Sequence, residues 1–381
     1  MTTSQHEMQC SLCKQGADYE PELSHSDMAR KYGVSEGSVR RHRKALRNAV
    51  EVPEDKFLAE LGVDPTTVTA RGYTRRLEDG SYEKVTWKPN QAALKDALAY
   101  EDLEHIFAAP VAHPLPAEGQ HAEVLNMADL QIGKVDARGG TPETLAAIKV
   151  SLQAFVDRCS KTKPSTILIV DNGDPIENIF NTGQQKYTND LDVVAQIRTA
   201  RRTFAEAIRM CASLAPEVIF LSVPSNHGAA RAGYKEQAGS TDADFGLDIN
   251  HSLEEQFEGR EGYTHVRFVR TSRLEETAVV DVAGTRLAFH HGHHTGGPLK
   301  HGDWWARQDH GRRPGWDADI LVMGHFHTFN IGHSGNGRWI ISCSSSDNGS
   351  LWFTNKGGES SIAGMTAFAV SNGKWSHAEI L

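Results

Sequence analysis

The sequence predicts an α/β fold: a two-sheet β-sandwich flanked by helices, with a small helical domain at its amino-terminal side. Between residues 121 and 223, apolar runs of strand length alternate with longer helical patterns, which is typical of a sheet covered by helices. After residue 277, apolar runs are paired around turn signals that contain glycine, which predicts hairpins. Before residue 50, capping and turn residues predict two short helices.

Length and composition indicate an ordinary globular protein with room for more than one domain. The chain has 381 residues, of which 39% are hydrophobic and 23% charged, and five are cysteines. No apolar run approaches the roughly 18 residues of a membrane span, the first residues lack the apolar core of a signal peptide, and five scattered cysteines do not make a disulfide framework. We therefore expect a cytoplasmic protein with no membrane partner, divided into residues 1–50, 51–120 and 121–381.

The segment Ser24–Leu46 predicts a helix-turn-helix. Asp27 can cap a first helix, Gly33 can end it, and Ser35 can cap a second helix that buries Val39. The second helix would present five basic residues: Arg40, Arg41, Arg43, Lys44 and Arg47. Because such residues on a recognition helix neutralise phosphates, the pattern predicts DNA binding, despite the net charge of −9. A solvated basic helix used for packing or oligomerisation is the alternative.

Cys10 and Cys13 have the Cys-x-x-Cys spacing of half a zinc site. His42, His25 or His6 could complete it, with Cys10, Cys13 and His42 as the favoured set, so that a structural zinc ion would stabilise the amino-terminal helices. A pair of unliganded thiols is the alternative.

Two segments connect the amino-terminal helices to the predicted sandwich. Thr66–Pro89 alternates apolar and polar residues around Asp79-Gly80, a strong local signal for a hairpin. Ala108–Gly119 is rich in alanine and proline, which disfavour helix and sheet pairing, and predicts a linker.

Beyond this linker, strands and helices are predicted in alternation. They are strand Glu123–Ala128, helix Pro142 to about Ser160 with Thr141 as its cap, strand Thr166–Val170, helix from about Leu191 to Leu214, and strand Val218–Val223. Three hairpins follow, at Val279–Phe289, Asn330–Cys343 and Met365–Ile380. They predict that the carboxyl-terminal half forms the second sheet.

Five short polar clusters each follow a predicted strand. In order they are Asp129-Leu130-Gln131, Gly173-Asp174, Asn226-His227, His291-Gly292-His293 and Gly324-His325-Phe326-His327. The carboxyl ends of strands in an open α/β sheet gather ligand-binding residues in one crevice. Mixed carboxylate, amide and imidazole donors favour manganese, iron or zinc over calcium. We therefore expect a two-metal hydrolase site.

The two last histidines flank one phenylalanine, and alternate residues of an extended chain face the same side. His325 and His327 are therefore expected to lie in extended chain and to reach one cavity. Asp174 is expected to bridge the two ions through its two carboxylate oxygens.

The order of these clusters resembles that of the calcineurin-like metallophosphoesterase superfamily over roughly Glu123–Thr328. With the basic amino-terminal helix, the chain is also similar in outline to SbcD-type nucleases and phage-encoded phosphoesterases that carry a small DNA-binding unit. The resemblance implies the four-layer fold and two divalent ions, with manganese favoured over iron, zinc or magnesium. It implies one ligand set of Asp129, Gln131, Asp174 and His327 and another of Asp174, Asn226, His291 and His325.

The resemblance further implies that His227 donates a hydrogen bond or proton to the reacting phosphate. His291 is assigned as a ligand because it precedes glycine, although His290, His293 or His294 could replace it. Two positions depart from the family pattern, which has histidine at Gln131 and an acidic residue at Gly228. An amide is a weaker donor than imidazole, and any acidic partner of His227 must come from elsewhere.

The expected activity is hydrolysis of phosphodiester bonds by metal-activated hydroxide attack on phosphorus. Nucleic acid is the favoured substrate because of the basic amino-terminal helix, and nothing indicates a particular protein partner. One alternative is a phosphatase or nucleotide phosphodiesterase acting on small substrates. The other is a DNA-binding scaffold without catalysis, in which the phosphoesterase-like domain is a structural relic.

Trp304 and Trp305 lie between the fourth and fifth polar clusters and have arginines nearby. Such a pair can stack a nucleic-acid base at the rim of a crevice. The alternative is that both tryptophans pack a helix onto the sandwich.

Overall fold

The computed structural model describes most of the chain beyond residue 114 and short parts before it. The described residues are 24–40, 114–136, 139–180, 189–233, 236–347, 349 and 362–381, together with the backbone of 72–76 and 82–86. The chain divides into two units, residues 1–60 and 61–381. None of the helices in these ranges is long and apolar enough to cross a bilayer.

In the first unit, helix α1 spans His25–Lys31. Its amino-terminal cap is Ser24, whose Oγ accepts a hydrogen bond from the backbone N of Asp27 at 3.1 Å. The predicted cap, Asp27, is therefore wrong by three residues and lies in the first turn of the helix. There its carboxylate favours the positive end of the helix dipole and accepts a hydrogen bond from the Ser24 hydroxyl.

A turn follows α1 and leads to a second helical segment, residues 36–40. Gly33 has a left-handed φ of 63°, and Ser35 Oγ accepts from the backbone N of Ser38 at 3.2 Å. Val39 and Met28 are fully buried against each other's helices. Arg40 is exposed, with 70% of its side chain accessible.

Several predictions about this unit fall outside the described residues. They concern the basic residues Arg41, Arg43, Lys44 and Arg47 and the zinc ligands Cys10, Cys13 and His42. DNA binding and a structural zinc ion stay predictions.

In the second unit, strands β1 (Gly72–Arg76) and β2 (Tyr82–Thr86) pair antiparallel. The two paired segments lie within the predicted hairpin Thr66–Pro89, whose turn at Asp79-Gly80 is outside the described residues. Residues 114–120 form no helix or strand, as expected for the end of a linker.

A six-stranded sheet contains the first three predicted strands. Its strands are β3 (Ala122–Asn126), β4 (Thr166–Asp171), β5 (Glu217–Ser222), β8 (Val266–Arg270), β14 (Thr366–Ser371) and β15 (Lys374–Ile380), in the order β15-β14-β3-β4-β5-β8. Strands β3, β4, β5 and β8 are parallel, so their carboxyl ends meet at one edge. A short separate pair, β6 (Arg231–Gly233) and β7 (Glu236–Gln237), follows β5.

A five-stranded sheet faces the first one. Its strands are β9 (Thr277–Val282), β10 (Thr285–His290), β11 (Ile320–Met323), β12 (Asn330–His333) and β13 (Trp339–Ser342), in the order β12-β13-β11-β10-β9. Strands β10, β11 and β13 are parallel to one another. Their carboxyl ends therefore form an edge of their own, from which the fourth and fifth polar clusters extend.

Alternation of side chains builds four layers. In β4, Leu168 and Val170 are buried between the two sheets, whereas Ile167 and Ile169 face the helices. Each such buried aliphatic side chain contributes about 1.5–3 kcal/mol relative to exposure. The helices on this outer face are α2 (Thr141–Thr162), α3 (Val193–Cys211) and α4 (Phe245–Phe257).

Helix α5 (His301–His310) forms the fourth layer, on the outer face of the five-stranded sheet. Trp305 is 1% exposed, packs against Leu321 and Met323, and donates from its indole N to the carbonyl of Gly315 at 3.0 Å. Trp304 is also buried. The packing alternative for the two tryptophans is therefore confirmed.

The predicted α/β sandwich is confirmed, with two corrections. All three carboxyl-terminal hairpins form, but β14 pairs with β3 and so carries the last hairpin into the first sheet rather than the second. Helix α2 is capped by Gly140, whose N–H donates to Glu143, and not by Thr141. The Thr141 hydroxyl instead accepts from the backbone N of Gly133 and donates to Asp190.

Candidate metal centre

The five polar clusters meet between the carboxyl ends of the two sheets. Backbone hydrogen bonds join them: the N of Asp129 donates to the carbonyl of Gly173 at 2.9 Å, and the N of His325 donates to Asp129 Oδ2 at 2.8 Å. The N of His227 donates to Asp174 Oδ1 at 2.7 Å. Both aspartates are buried. Side chains far apart in sequence thus surround one cavity, as the strand-end positions predicted.

The backbone around this cavity is strained. Five candidate ligands have left-handed φ angles: Asp129 (55°), Gln131 (43°), Asp174 (54°), His325 (72°) and His327 (53°). Such conformations are uncommon in residues other than glycine and cost on the order of 1–3 kcal/mol each. The prediction that His325 and His327 lie in extended chain is therefore wrong. A loop after β11, not strand alternation, turns both imidazoles inward.

Gly173, between β4 and Asp174, shows how closely the segments approach. It has a φ of 95°, and a Cβ on it would lie 2.5 Å from His291 Nδ1. No other residue fits without displacing this histidine.

Asp174, Asn226, His291 and His325, hereafter the His291 cluster, form the first half of the centre. His291 Nε2 lies 3.1 Å from Asp174 Oδ2 and 2.9 Å from Asn226 Oδ1. Its Nδ1 is 2.9 Å from the carbonyl of Asn172 and must donate to it. The ring therefore presents Nε2 to the cavity. The ligand atoms of Asp174, His291 and His325 all lie within 4.8 Å of one another.

The charges in the His291 cluster compensate one another. Burial opposes a charge on His291, but Asp174 raises the pKa of this imidazole to about 9. Although burial also penalises the carboxylate, His291 holds the pKa of Asp174 well below its usual range. Burial and the charge of His291 lower the pKa of His325 to about 3. The proton on His291 thus balances the charge of Asp174. The cluster offers two oxygen donors and two imidazoles, a set that suits a divalent cation.

Asp129, Gln131, His327, Lys134 and Asp347, hereafter the His327 cluster, form the second half. His327 lies between two carboxylates: its Nε2 is 3.3 Å from Asp129 Oδ1, and its Nδ1 is 3.5 Å from Asp347 Oδ1. Burial opposes a charge on His327, but Asp347 and Asp129 raise its pKa to about 10. A carboxylate behind a histidine is the arrangement that orients a metal-binding imidazole.

Lys134 distinguishes the His327 cluster from the other. Its ammonium group forms an ion pair with Asp347 and donates to Gln131 Oε1 at 2.7 Å. Burial disfavours this charge, but Asp347 and Glu177 outweigh it and raise the pKa of Lys134. The amide oxygen of Gln131, a predicted metal ligand, thus already accepts a hydrogen bond from the ammonium group of Lys134.

His227 has an acidic partner that the sequence did not reveal. Its Nδ1 lies 3.0 Å from the carbonyl oxygen and 3.3 Å from the carboxylate of Glu177, while its Nε2 is 4.0 Å from Asp174 Oδ2. Burial opposes protonation, but Asp174 and Glu177 together raise the pKa of His227. Glu177 is therefore the acidic partner of His227 that Gly228 cannot provide.

The absence of an acidic side chain at position 228 has a steric cause. A Cβ on Gly228 would lie against Asp244 Oδ2 and 2.7 Å from Ser225 Oγ. Asp244 caps α4 and accepts from the backbone N of Ser225 at 2.9 Å. The space beside Gly228 is thus occupied by the carboxylate of Asp244, which caps α4.

The other histidines of the 290–294 run face away from Asp174. His290 Nδ1 accepts from the backbone N of Gly292 at 2.9 Å. The Nε2 atoms of His290, His293 and His294 all lie within 4 Å of Glu276 Oε2. This geometry favours His291 as the ligand of the run.

The donors of the centre thus fit divalent cations unequally. The His291 cluster offers a shared carboxylate, an amide oxygen and two imidazoles. The His327 cluster offers Asp129 and an oriented imidazole, with Gln131 held by Lys134.

No protein-family model and no curated protein matches the chain. Three solved structures are similar in fold. Vps29 from Entamoeba histolytica, complexed with zinc, is 13% identical over 66% of this chain and 88% of that chain, with a TM-score of 0.31. A predicted phosphoesterase from Streptococcus pneumoniae is 11% identical over 66% of this chain and 84% of that chain, with a TM-score of 0.25, and a purple acid phosphatase from yellow lupin, Lupinus luteus, is 13% identical over 79% of this chain and 55% of that chain, with a TM-score of 0.34. Because these identities and TM-scores are low, the fold is assigned from the strand order of the chain itself.

Proposed function

We propose that this chain is a metal-dependent phosphoesterase that hydrolyses phosphodiester bonds, with nucleic acid as its substrate. The observation that carries the proposal is the meeting of carboxylate, amide and imidazole donors from five segments around the buried Asp174. Burying several ionisable groups together costs free energy of folding. Such clusters are therefore typical of functional sites.

Asp174 lies at the centre of the proposed mechanism because its two oxygens face different neighbours. Its Oδ2 points to His291, while its Oδ1 accepts from the backbone N of His227. When bound, two divalent ions would supply a water of lowered pKa and a clamp for phosphate oxygens. The ligands that would hold them are Asp129, Gln131, Asp174, Asn226, His291, His325 and His327.

His227 has the geometry of a donor to the substrate. The carbonyl of Glu177 accepts the proton on Nδ1, so the ring is held with Nε2 directed towards the cavity. Its raised pKa favours a proton on Nε2 as well. In that state Nε2–H can donate to a phosphate oxygen or to the departing ester oxygen.

The basic amino-terminal segment supports nucleic acid as the substrate. Arg40 is exposed, and the residues that follow include further arginines and a lysine. Charges of this kind bind phosphates of the backbone without reading sequence.

The phosphoesterase activity can be tested with bis(p-nitrophenyl) phosphate and each of manganese, iron, zinc and magnesium. We expect Asp174→Asn and His325→Ala to lower kcat/KM by about 10³-fold, the upper range for losing one electrostatic group of an active site. His251→Ala, at an exposed position of α4, is the control and should retain full activity. Retained activity in Asp174→Asn would contradict the assignment.

The nucleic-acid specificity needs a separate comparison. We expect manganese-dependent cleavage of linear and single-stranded DNA, with little release of phosphate from mononucleotides. Replacing Arg40, Arg41 and Arg43 together by glutamine should weaken DNA cleavage while leaving bis(p-nitrophenyl) phosphate hydrolysis unchanged. Faster turnover of mononucleotides would instead identify a small-substrate phosphatase, and no hydrolysis with any metal would identify a scaffold.

A further inference from the structure

A second group of histidines surrounds a carboxylate outside the two clusters. Glu276 directly precedes β9, and its Oε2 lies 2.7 Å from His294 Nε2, 3.6 Å from His290 Nε2 and 3.8 Å from His293 Nε2. Three imidazole nitrogens thus converge on a single carboxylate oxygen.

His290 has a supporting part in this group. Its Nδ1 accepts a hydrogen bond from the backbone N of Gly292, so in the neutral ring the proton is on Nε2, facing Glu276. The ring is 1% exposed. At 3.6 Å this N–H is too far from Glu276 Oε2 for a hydrogen bond, but its positive end faces the carboxylate and favours its charge.

The remaining three side chains have the composition of a zinc site. The ligand atoms of Glu276, His293 and His294 all lie within 4.8 Å of one another. Two histidines and one glutamate are a known set for zinc sites that keep an open coordination position. About half of the His294 side chain is exposed, so solvent or a ligand oxygen can reach that position.

We propose that Glu276, His293 and His294 form a further divalent-cation site, selective for zinc-type ions and open to solvent. It lies next to the His291 cluster, with the His293 ring 5.5 Å from that of His291 and 6.2 Å from that of His325. A cation here adds positive charge at the rim of the centre and offers its open position to an anionic oxygen. The proposal does not depend on phosphoesterase activity.

The test is the zinc content of the full-length protein at buffered free zinc concentrations. The wild type should bind one equivalent more than Glu276→Gln or His294→Ala, whereas His251→Ala, an exposed histidine of α4, should match the wild type. Circular dichroism establishes that each variant is folded, and the isosteric Glu276→Gln keeps the volume of the half-buried side chain.

The same measurement in the Asp174→Asn/His325→Ala background separates this site from the centre. At free zinc concentrations too low to fill the His327 cluster, that double variant should retain one zinc equivalent, with imidazole ligands in its zinc X-ray absorption spectrum, and adding Glu276→Gln should remove it. Equal zinc content of Glu276→Gln and the wild type at every free zinc concentration would overturn the proposal and leave Glu276 and His294 as an ion pair. The outcome is independent of whether Asp174→Asn retains hydrolysis.

Discussion

The two halves of the candidate centre balance the same kind of buried negative charge in different ways. In the His291 cluster, the balancing charge is a proton on His291, which lies 3.1 Å from Asp174. In the His327 cluster, part of it is the ammonium group of Lys134, which is paired with Asp347 and bound to Gln131. A proton can be exchanged for a metal ion, but a lysine tethered to the backbone cannot leave.

This difference predicts unequal metal affinities. A divalent ion in the His291 cluster replaces the proton and gains two imidazoles and an amide oxygen as ligands. An ion in the His327 cluster is repelled by the ammonium group of Lys134, because like charges repel more strongly in a buried site than in water. We therefore expect one tightly bound and one weakly bound ion.

The largest effect should come from removing one imidazole in each half. We expect His325→Ala to abolish the tight metal equivalent and to lower kcat/KM by about 10³-fold, and His327→Ala to lower it by about 10²-fold. Isothermal titration with manganese and bis(p-nitrophenyl) phosphate kinetics give the two readouts. Equal loss of the tight equivalent in both variants would contradict the inequality.

A second prediction concerns the carboxylate behind His327. Asp347→Asn removes the group that orients His327 Nδ1 and neutralises Lys134. We expect the affinity for the weak ion to fall by about 10–100-fold, as for other supporting carboxylates of metal-bound histidines. The tight equivalent should be unchanged, and its loss would mean that Asp347 serves the whole centre.

A third prediction separates metal binding from the role of His227. Glu177→Gln keeps the carbonyl contact but removes the charge beside Nδ1. We expect kcat to fall by about tenfold, because a hydrogen bond to a charged group contributes about 1.5 kcal/mol or more. Metal stoichiometry measured in the same samples should equal that of the wild type. A parallel loss of metal would show that Glu177 acts on the ligands instead.

Sequence patterns predicted the local elements well but not their distant partners. Turn residues such as Asn372-Gly373 specify which two strands form a hairpin, and β14 and β15 do so. They do not specify the sheet that the hairpin joins. That choice depends on pairing between Thr366 and Asn126, which lie near opposite ends of the sandwich sequence.

The same limit applies to the candidate centre. The order of the motifs predicted Asp129 and Asp174 as site residues because each follows a buried strand. The role of Lys134 depends instead on its tertiary contact with Asp347, which the sequence pattern does not indicate. Asp347 did carry a signal, since it follows the end of β13 as the other polar clusters follow their strands. Glu177 carried none, because its contact with His227 exists only in the folded chain.

The smallest and most specific effect should come from Lys134→Gln. Glutamine can still donate to Asp347 and to Gln131 Oε1, so the variant removes the charge while retaining hydrogen bonds. We expect the weak ion to bind about tenfold more tightly, a modest part of the Coulomb repulsion that lysine exerts. Lys163→Gln, which breaks the more exposed ion pair with Glu118, is the matched control and should leave both affinities unchanged. Weaker binding in Lys134→Gln would mean that Lys134 organises the His327 cluster rather than competing with a metal ion.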